Sequence, residues 1–136
     1  MAAVDFSGSW KVYRSENFEA FMNKVGIGFI KKKIAANTNP TVTIEQNEDN
    51  FKTKFSMGPI SKESAFAIGT EMNVDEFDKK MKTTPAWEGS KLVFRCVPVD
   101  GDGDSVIMTR EIVDGEMVQE MTCGEVTSKR FFKRVQ

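Results

Sequence analysis

From Pro40 onward the chain falls into short runs in which apolar and polar residues alternate. Val42 and Ile44 alternate with threonines and Glu45. Phe51, Thr53, Phe55 and Met57 alternate with Lys52, Lys54 and Ser56, and Ser64, Phe66 and Ile68 run to Gly69. A polar turn around Asp75 to Lys80 leads to a strand near Met81 to Trp87. Strands over Lys91 to Val99, Val106 to Ile112, Met117 to Thr122 and Val126 to Arg134 follow. Asn47-Glu48-Asp49, Glu88-Gly89, Asp100 to Asp104, Asp114-Gly115 and Gly124 supply the turns. A period of two places alternate side chains on opposite faces of a sheet. Strands this short and evenly spaced, joined by such turns, predict an antiparallel sandwich or up-and-down barrel.

The first forty residues differ. Phe6, Gly8, Trp10 and Val12 share one face of a strand over Phe6 to Arg14. Phe18, Phe21, Met22 and Val25 then recur at helical spacing in a helix over Glu16 to Val25, with Ser15 as N-cap and Gly26 as stop. Gly28 opens a second helix, Phe29 to Ala36, ended by Asn37, Asn39 and Pro40. One helical pair against so many strands predicts an all-β barrel with a helical lid. The 136 residues carry no repeat, low-complexity tract or linker, so residues 1–136 are read as one domain.

Composition removes several kinds of chemistry. With no histidine, Ser-His and Cys-His nucleophilic sites, histidine general bases and nearly all transition-metal sites disappear. Nineteen Lys and Arg balance 20 Asp and Glu, which argues against a chain built to grip nucleic acid. Cys96 and Cys123 have no metal-like spacing and read as reduced thiols. The opening MAAVDFSGSW reaches Asp5 before an apolar core can form, so it does not read as a signal peptide. No apolar stretch has the length of a membrane span. A cytoplasmic chain is expected, non-enzymatic and without cofactor or metal. Asp100, Asp102, Asp104 and Glu111 imitate a calcium loop, but Ser105 stands where that loop needs glycine and both flanks alternate as strands. Gly101-Asp102-Gly103 lacks the third glycine and the strand-turn-helix setting of a dinucleotide site.

Two arginines break otherwise apolar faces. Val106, Met108, Arg110 and Ile112 share one side of their strand. Val126, Ser128, Arg130 and Phe132 share one side of the last, whose other side carries Lys129 and Lys133. An inward guanidinium needs a partner or water. Two of them favour an anionic guest, through charge-assisted hydrogen bonds worth roughly 1.5–3 kcal/mol each. Phe55, Met57, Met108, Met117, Met121 and Phe132 share inward faces, as a plain core or as the wall of a lipid cavity. Lys24, Lys31, Lys32 and Lys33 form a basic cluster on the helices, either a solvated face or a contact for an anionic membrane or import receptor.

The run Gly8-Ser9-Trp10-Lys11-Val12, continuing to Glu16-Asn17-Phe18-Glu19 and Met22, is similar to the N-terminal motif of the intracellular lipid-binding proteins, the fatty acid-binding and cellular retinoid-binding group. The resemblance covers essentially the whole chain. It implies a ten-stranded antiparallel up-and-down β-barrel (a β-clam) capped by a helix-turn-helix. Acidic ligands of that family are held by two arginines and a tyrosine. By position, Arg110 in Thr109-Arg110-Glu111 matches the first arginine and Arg130 in Ser128-Lys129-Arg130 the second. The family's Arg-x-Tyr reads here Arg130-Phe131-Phe132, so the hydroxyl contact is missing, which lowers affinity or leaves the contact to Ser128 or a water. Retinol binders carry glutamine at the arginine positions, so the resemblance implies an acid rather than an alcohol.

Pro85-Ala86-Trp87-Glu88 and Gly101-Asp102-Gly103 followed by Thr109-Arg110-Glu111-Ile112 resemble the retinoic acid-binding branch, whereas Val25-Gly26-Ile27-Gly28-Phe29 resembles the heart and adipocyte fatty acid-binding branch. The expected function is carriage of a hydrophobic monocarboxylate, a long-chain fatty acid first and retinoic acid second. The rival of another class is an interaction module with a filled core. Arg110 and Arg130 are expected to hold the carboxylate. Phe18, Met22, Phe55, Met57, Met108, Gln119, Met121 and Phe132 are expected to line the tail cavity. Lys24, Lys31, Lys32 and Lys33 are the expected membrane or import contact, leaving a nuclear location open. A monomer with no nucleic-acid partner is expected.

Overall fold

A computed structural model describes residues 3–36, 38–76, 79–101 and 103–135, without the side chains of Phe29 and Ala36. The first strand, β1 (Gly8–Glu16), precedes the helices α1 (Phe18–Val25) and α2 (Phe29–Ala36). Ten further strands follow: β2 (Thr41–Asn47), β3 (Asn50–Met57), β4 (Ile60–Ala67), β5 (Met72–Glu76), β6 (Lys79–Thr83), β7 (Ala86–Glu88), β8 (Lys91–Pro98), β9 (Val106–Val113), β10 (Glu116–Cys123) and β11 (Val126–Val135). Their order is β4-β3-β2-β1-β11-β10-β9-β8-β6-β5, with β7 added on β8. Pairing of the last strand with the first curls this antiparallel sheet into a ten-stranded barrel. At its two ends β4 and β5 share no ladder among the described residues, leaving one open seam.

Local chemistry explains where the elements differ from the sequence reading. Ser15 does not cap α1; it continues β1 opposite Arg130. Asn17 takes the cap place in a left-handed conformation (φ 59), and its amide donates to the Thr127 carbonyl at 2.9 Å, tying the helix to β11. Gly26 (φ 78) ends the helix by returning its N–H to the Met22 and Asn23 carbonyls. The stretch read as a polar turn from Asp75 begins in β5, which pairs with β6 from Met72 to Glu76. The strand expected over Met81 to Trp87 is split at Thr84-Pro85 into β6 and β7, as proline cannot donate to a ladder. Asp114 (φ 53) and Gly115 (φ 81) are both left-handed, the form that matches hairpin twist in a two-residue turn. The Asp100 to Asp104 stretch joins β8 to β9, although Asp102 itself, like Asn37, lies outside the described residues.

Aromatic side chains fill one part of the interior. Phe6 and Trp10 are fully buried, and the Trp10 indole donates to the Phe6 carbonyl at 2.9 Å. Phe6 stacks on Trp87 at 6.1 Å, Phe51 on Phe66 at 4.8 Å, and Phe66 meets Phe94 edge-on at 5.1 Å. Cys96 and Cys123 are buried free thiols on β8 and β10, with β9 between them. Two strand spacings set them roughly 10 Å apart, too far for a disulfide. Burial pushes both thiols up from their ordinary pKa, so neither is poised for nucleophilic work.

Candidate functional site

The registers of five adjacent strands line up one transverse row. Leu92 on β8 pairs with Arg110 on β9, Arg110 with Gln119 on β10, Gln119 with Arg130 on β11, and Arg130 with Ser15 on β1. Arg110 Nε donates to Gln119 Oε1 at 3.1 Å, and Arg130 Nε donates to Ser15 Oγ at 3.0 Å. Both bonds use Nε, the nitrogen behind the guanidinium fork, so neither occupies the terminal N–H groups that grip a carboxylate side by side. Among the described residues neither arginine has an acidic partner at ion-pair distance.

A bulge in β1 builds the Arg130 end of this row. The register of β1 with β11 shifts by one residue between Val12 and Arg14. Without that shift Arg14 would stand opposite Arg130, setting two cations together. With it, Ser15 takes the place and Arg14 turns outward onto the Phe131 ring at 3.8 Å. Arg130, only 5% exposed, lies against the Phe18 ring of α1 with its guanidinium carbon 3.8 Å from the centroid. Arg110 is partly open to the interior, and its guanidinium carbon lies 6.0 Å from the centre of the Phe94 ring. Burial pulls both guanidinium pKa values down to about 10, so both remain charged at neutral pH.

A cavity of about 530 Å³ opens between the helices and β1. Val12, Phe18, Met22 and Ala35 form its apolar wall, Arg130 and Ser15 its polar wall, and Lys32 and Lys33 also line it. Phe18, Met22 and Arg130 of the expected site are therefore brought together here. Gln119 and Arg110 are one and two strands further along the row and do not line this cavity. Met57 packs with Met22 and Ala35 in a cluster that Phe55 joins. Met121 and Phe132 are buried in the main core, with Met108 packed against it.

Phe132, at the place of the family tyrosine, is 1% exposed and pairs with Met117. Ser128 donates its hydroxyl to the Glu16 carbonyl at 3.0 Å, so that proton is not available to a ligand carboxylate. The chain's one tyrosine, Tyr13, is exposed and bonds Glu116, so it cannot stand in either. The basic cluster is divided. Lys24 pairs with Asp104 at 3.4 Å beside Gly124, Lys32 bonds Asn23, and Lys31 and Lys33 are exposed on α2.

Lys62 and Glu76 are two further inward charges, outside the row. Lys62 Nζ donates to Glu76 Oε1 at 3.0 Å and to the Asp75 carbonyl, joining β4 to β5 across the open seam. The signal was present: Lys62 has the parity of Ser64 and Phe66.

A ten-stranded barrel with a two-helix lid, a cavity under the lid and inward cations on its closing strands defines a lidded β-barrel of the lipid-binding type. Residues 7–135 match the family model described as the lipocalin / cytosolic fatty-acid binding protein family, and the chain belongs to that family. It is 40% identical to the intestinal fatty acid-binding protein of Bos taurus over 131 residues, covering 95% of this chain and 98% of that one. It is 36% identical to cellular retinoic acid-binding protein 2 of Mus musculus over 135 residues, covering 96% and 98%. Among solved structures it is similar to the REP1-NXSQ fatty acid transporter, with a TM-score of 0.89, 31% identity and 97% of each chain covered.

Proposed function

We propose that the protein binds and carries a hydrophobic monocarboxylate, a long-chain fatty acid, with its head group at the Arg110-Gln119-Arg130 row. The observation that carries this reading is two inward guanidinium groups with no acidic partner at ion-pair distance among the described residues, one of them beside an apolar cavity. An acid guest supplies the missing anion, and its tail replaces water against Phe18, Met22 and the residues behind them. Binding without turnover follows from the groups present, since the row offers donors and an amide but no nucleophile paired with a base. The proposed compartment is the cytosol, which suits two buried free thiols, and the proposed state is a monomer.

Native mass spectrometry of the purified chain is expected to show a copurified fatty acid, and oleate to displace a fluorescent fatty acid more effectively than all-trans retinoic acid does. The reverse order of displacement would assign the retinoid instead. A chain that copurifies with nothing and takes up neither acid would be the module with a filled core.

The lid is the proposed contact with membranes. On α2, Ile30 is 75% exposed and stands beside exposed Lys31 and Lys33, an apolar residue flanked by charge. Each lysine near an anionic surface contributes about 1 kcal/mol, so Lys31→Glu with Lys33→Glu should slow delivery to vesicles containing phosphatidylserine by about tenfold. Equal rates for the variant and the unmodified protein would rule the contact out.

A further inference from the structure

The β1 bulge does more than keep two cations apart, because it sets a hydroxyl at the edge of a buried guanidinium. Ser15 stands opposite Arg130 in the ladder of β1 with β11, and its Oγ accepts from Arg130 Nε at 3.0 Å. A hydroxyl has two acceptor lone pairs and one proton, so accepting from Nε leaves the proton to give. Among the described residues no group accepts that proton. Ser15 is exposed, and with Arg130 it lines the cavity under the lid. Two neighbouring hydroxyls are already engaged, Ser128 with the Glu16 carbonyl and Tyr13 with Glu116. Phe18 decides how an anion meets the same guanidinium. Its ring occupies a face, 3.8 Å from the guanidinium carbon, whereas a carboxylate binds edge-on in the plane of the N–H groups. On the Nε side that edge ends in Ser15.

We infer that Ser15 is a binding residue for the ligand carboxylate, a third donor beside the terminal N–H groups of Arg130. The inference rests on Arg130 receiving the carboxylate. One carboxylate oxygen takes the Arg130 Nη hydrogens and the other takes the Ser15 hydroxyl proton, while Nε holds the hydroxyl from behind. A hydroxyl that accepts from a cation is polarised and donates the more strongly. An acid gains more from this donor than an alcohol does, since a hydrogen bond to an ionised oxygen is about twice as strong as one between neutral groups. Ser15 thereby contributes to the choice of an acid over an uncharged amphiphile of equal length. It does so from β1, next to the helix that carries Phe18.

The test titrates oleate and oleyl alcohol against the unmodified protein, Ser15→Ala, Ser15→Thr and Arg130→Gln at one pH and ionic strength. Ser15→Ala is expected to weaken oleate by about three- to tenfold and oleyl alcohol by less than about twofold. Ser15→Thr keeps the hydroxyl and should bind both as the unmodified protein does. Oleate labelled with carbon-13 at its carboxyl group supplies the second measurement, because that resonance reports hydrogen bonds to the carboxylate itself. It should move between the complexes of the unmodified protein and Ser15→Ala, and return in Ser15→Thr. Unchanged oleate affinity in Ser15→Ala would overturn the inference, and so would an equal loss for the two ligands. A weaker oleate complex with an unmoved carboxyl resonance would overturn it as well, leaving Ser15 as a brace for Arg130 that never touches the ligand. Unchanged oleate affinity in Arg130→Gln would fail differently, removing the head-group assignment to Arg130 and this inference with it.

Discussion

Arg110→Gln and Arg130→Gln are each expected to weaken oleate binding at least tenfold while making the ligand-free protein harder to unfold. The loss of affinity is the charge-assisted hydrogen bonding to the carboxylate, worth roughly 1.5–3 kcal/mol for each arginine. The gain in stability comes from the same burial that makes the site. Both guanidinium pKa values are lowered to about 10 because burial disfavours the charge. At 1.36 kcal/mol per pKa unit each cation costs the empty fold roughly 3 kcal/mol. The sign follows from linkage. A base with a lowered folded pKa is charged in both states below about 10, so the cost is present throughout the neutral range and is relieved only as pH rises past that value. Glutamine removes the charge but leaves a polar group to satisfy, so a net stabilisation of about 1–2 kcal/mol remains. Urea unfolding of ligand-free protein and a fluorescent fatty acid titration read the two effects separately. Lower stability together with lower affinity would instead make the arginine a structural tie, acting for Arg130 through Ser15 and Phe18.

Much of this row can be read from the chain, because hairpin turns fix registers. The tight turns at Asp114-Gly115 and Gly124-Glu125 set Arg110 opposite Gln119 and Gln119 opposite Arg130. Parity alone pointed Arg130 inward, since Lys129 and Lys133 mark the other face. The end of the row at Ser15 was hidden. Unbroken alternation predicts Arg14 opposite Arg130, and a bulge responds to how β1 meets both β11 and the helices rather than to any local residue pattern. β5 was hidden for another reason: Met72-Asn73-Val74-Asp75-Glu76 is polar enough to pass for a turn, and its strand character comes from its ladder with β6. Lys62 had the right parity, but its partner Glu76 belongs to a strand with which β4 shares no ladder. Charges that meet only across an open seam leave no hairpin arithmetic in the sequence.

Trp10→Ala should be the most damaging single core substitution, lowering the unfolding free energy by about 3–5 kcal/mol. Trp10 on β1 is fully buried, and its cross-strand neighbours are Val42 on β2 and Arg134 on β11, so it sits where the first and last strands join. Three interactions converge there. The indole N–H donates to the Phe6 carbonyl, Arg134 lies 4.2 Å over the ring, and Arg134 also donates to the Ser7 carbonyl at 2.6 Å. Alanine would leave a large void and an unsatisfied carbonyl at the pairing that closes the barrel. Against a typical reserve of about 5–15 kcal/mol, that loss brings the chain near its threshold. Trp87→Ala makes the contrast, because Trp87 is only partly buried and its indole bonds an Asp49 carboxylate rather than a strand backbone. It should cost clearly less, and urea unfolding of the two variants, followed by far-ultraviolet circular dichroism, ranks them. Oleate affinity of folded Trp10→Ala should stay unchanged, since Trp10 neither belongs to the arginine row nor lines the cavity under the lid. Should affinity fall while the fold persists, the closing pair of strands would have to transmit its packing to Arg130 along β11, and stability and binding would no longer be separable at that strand.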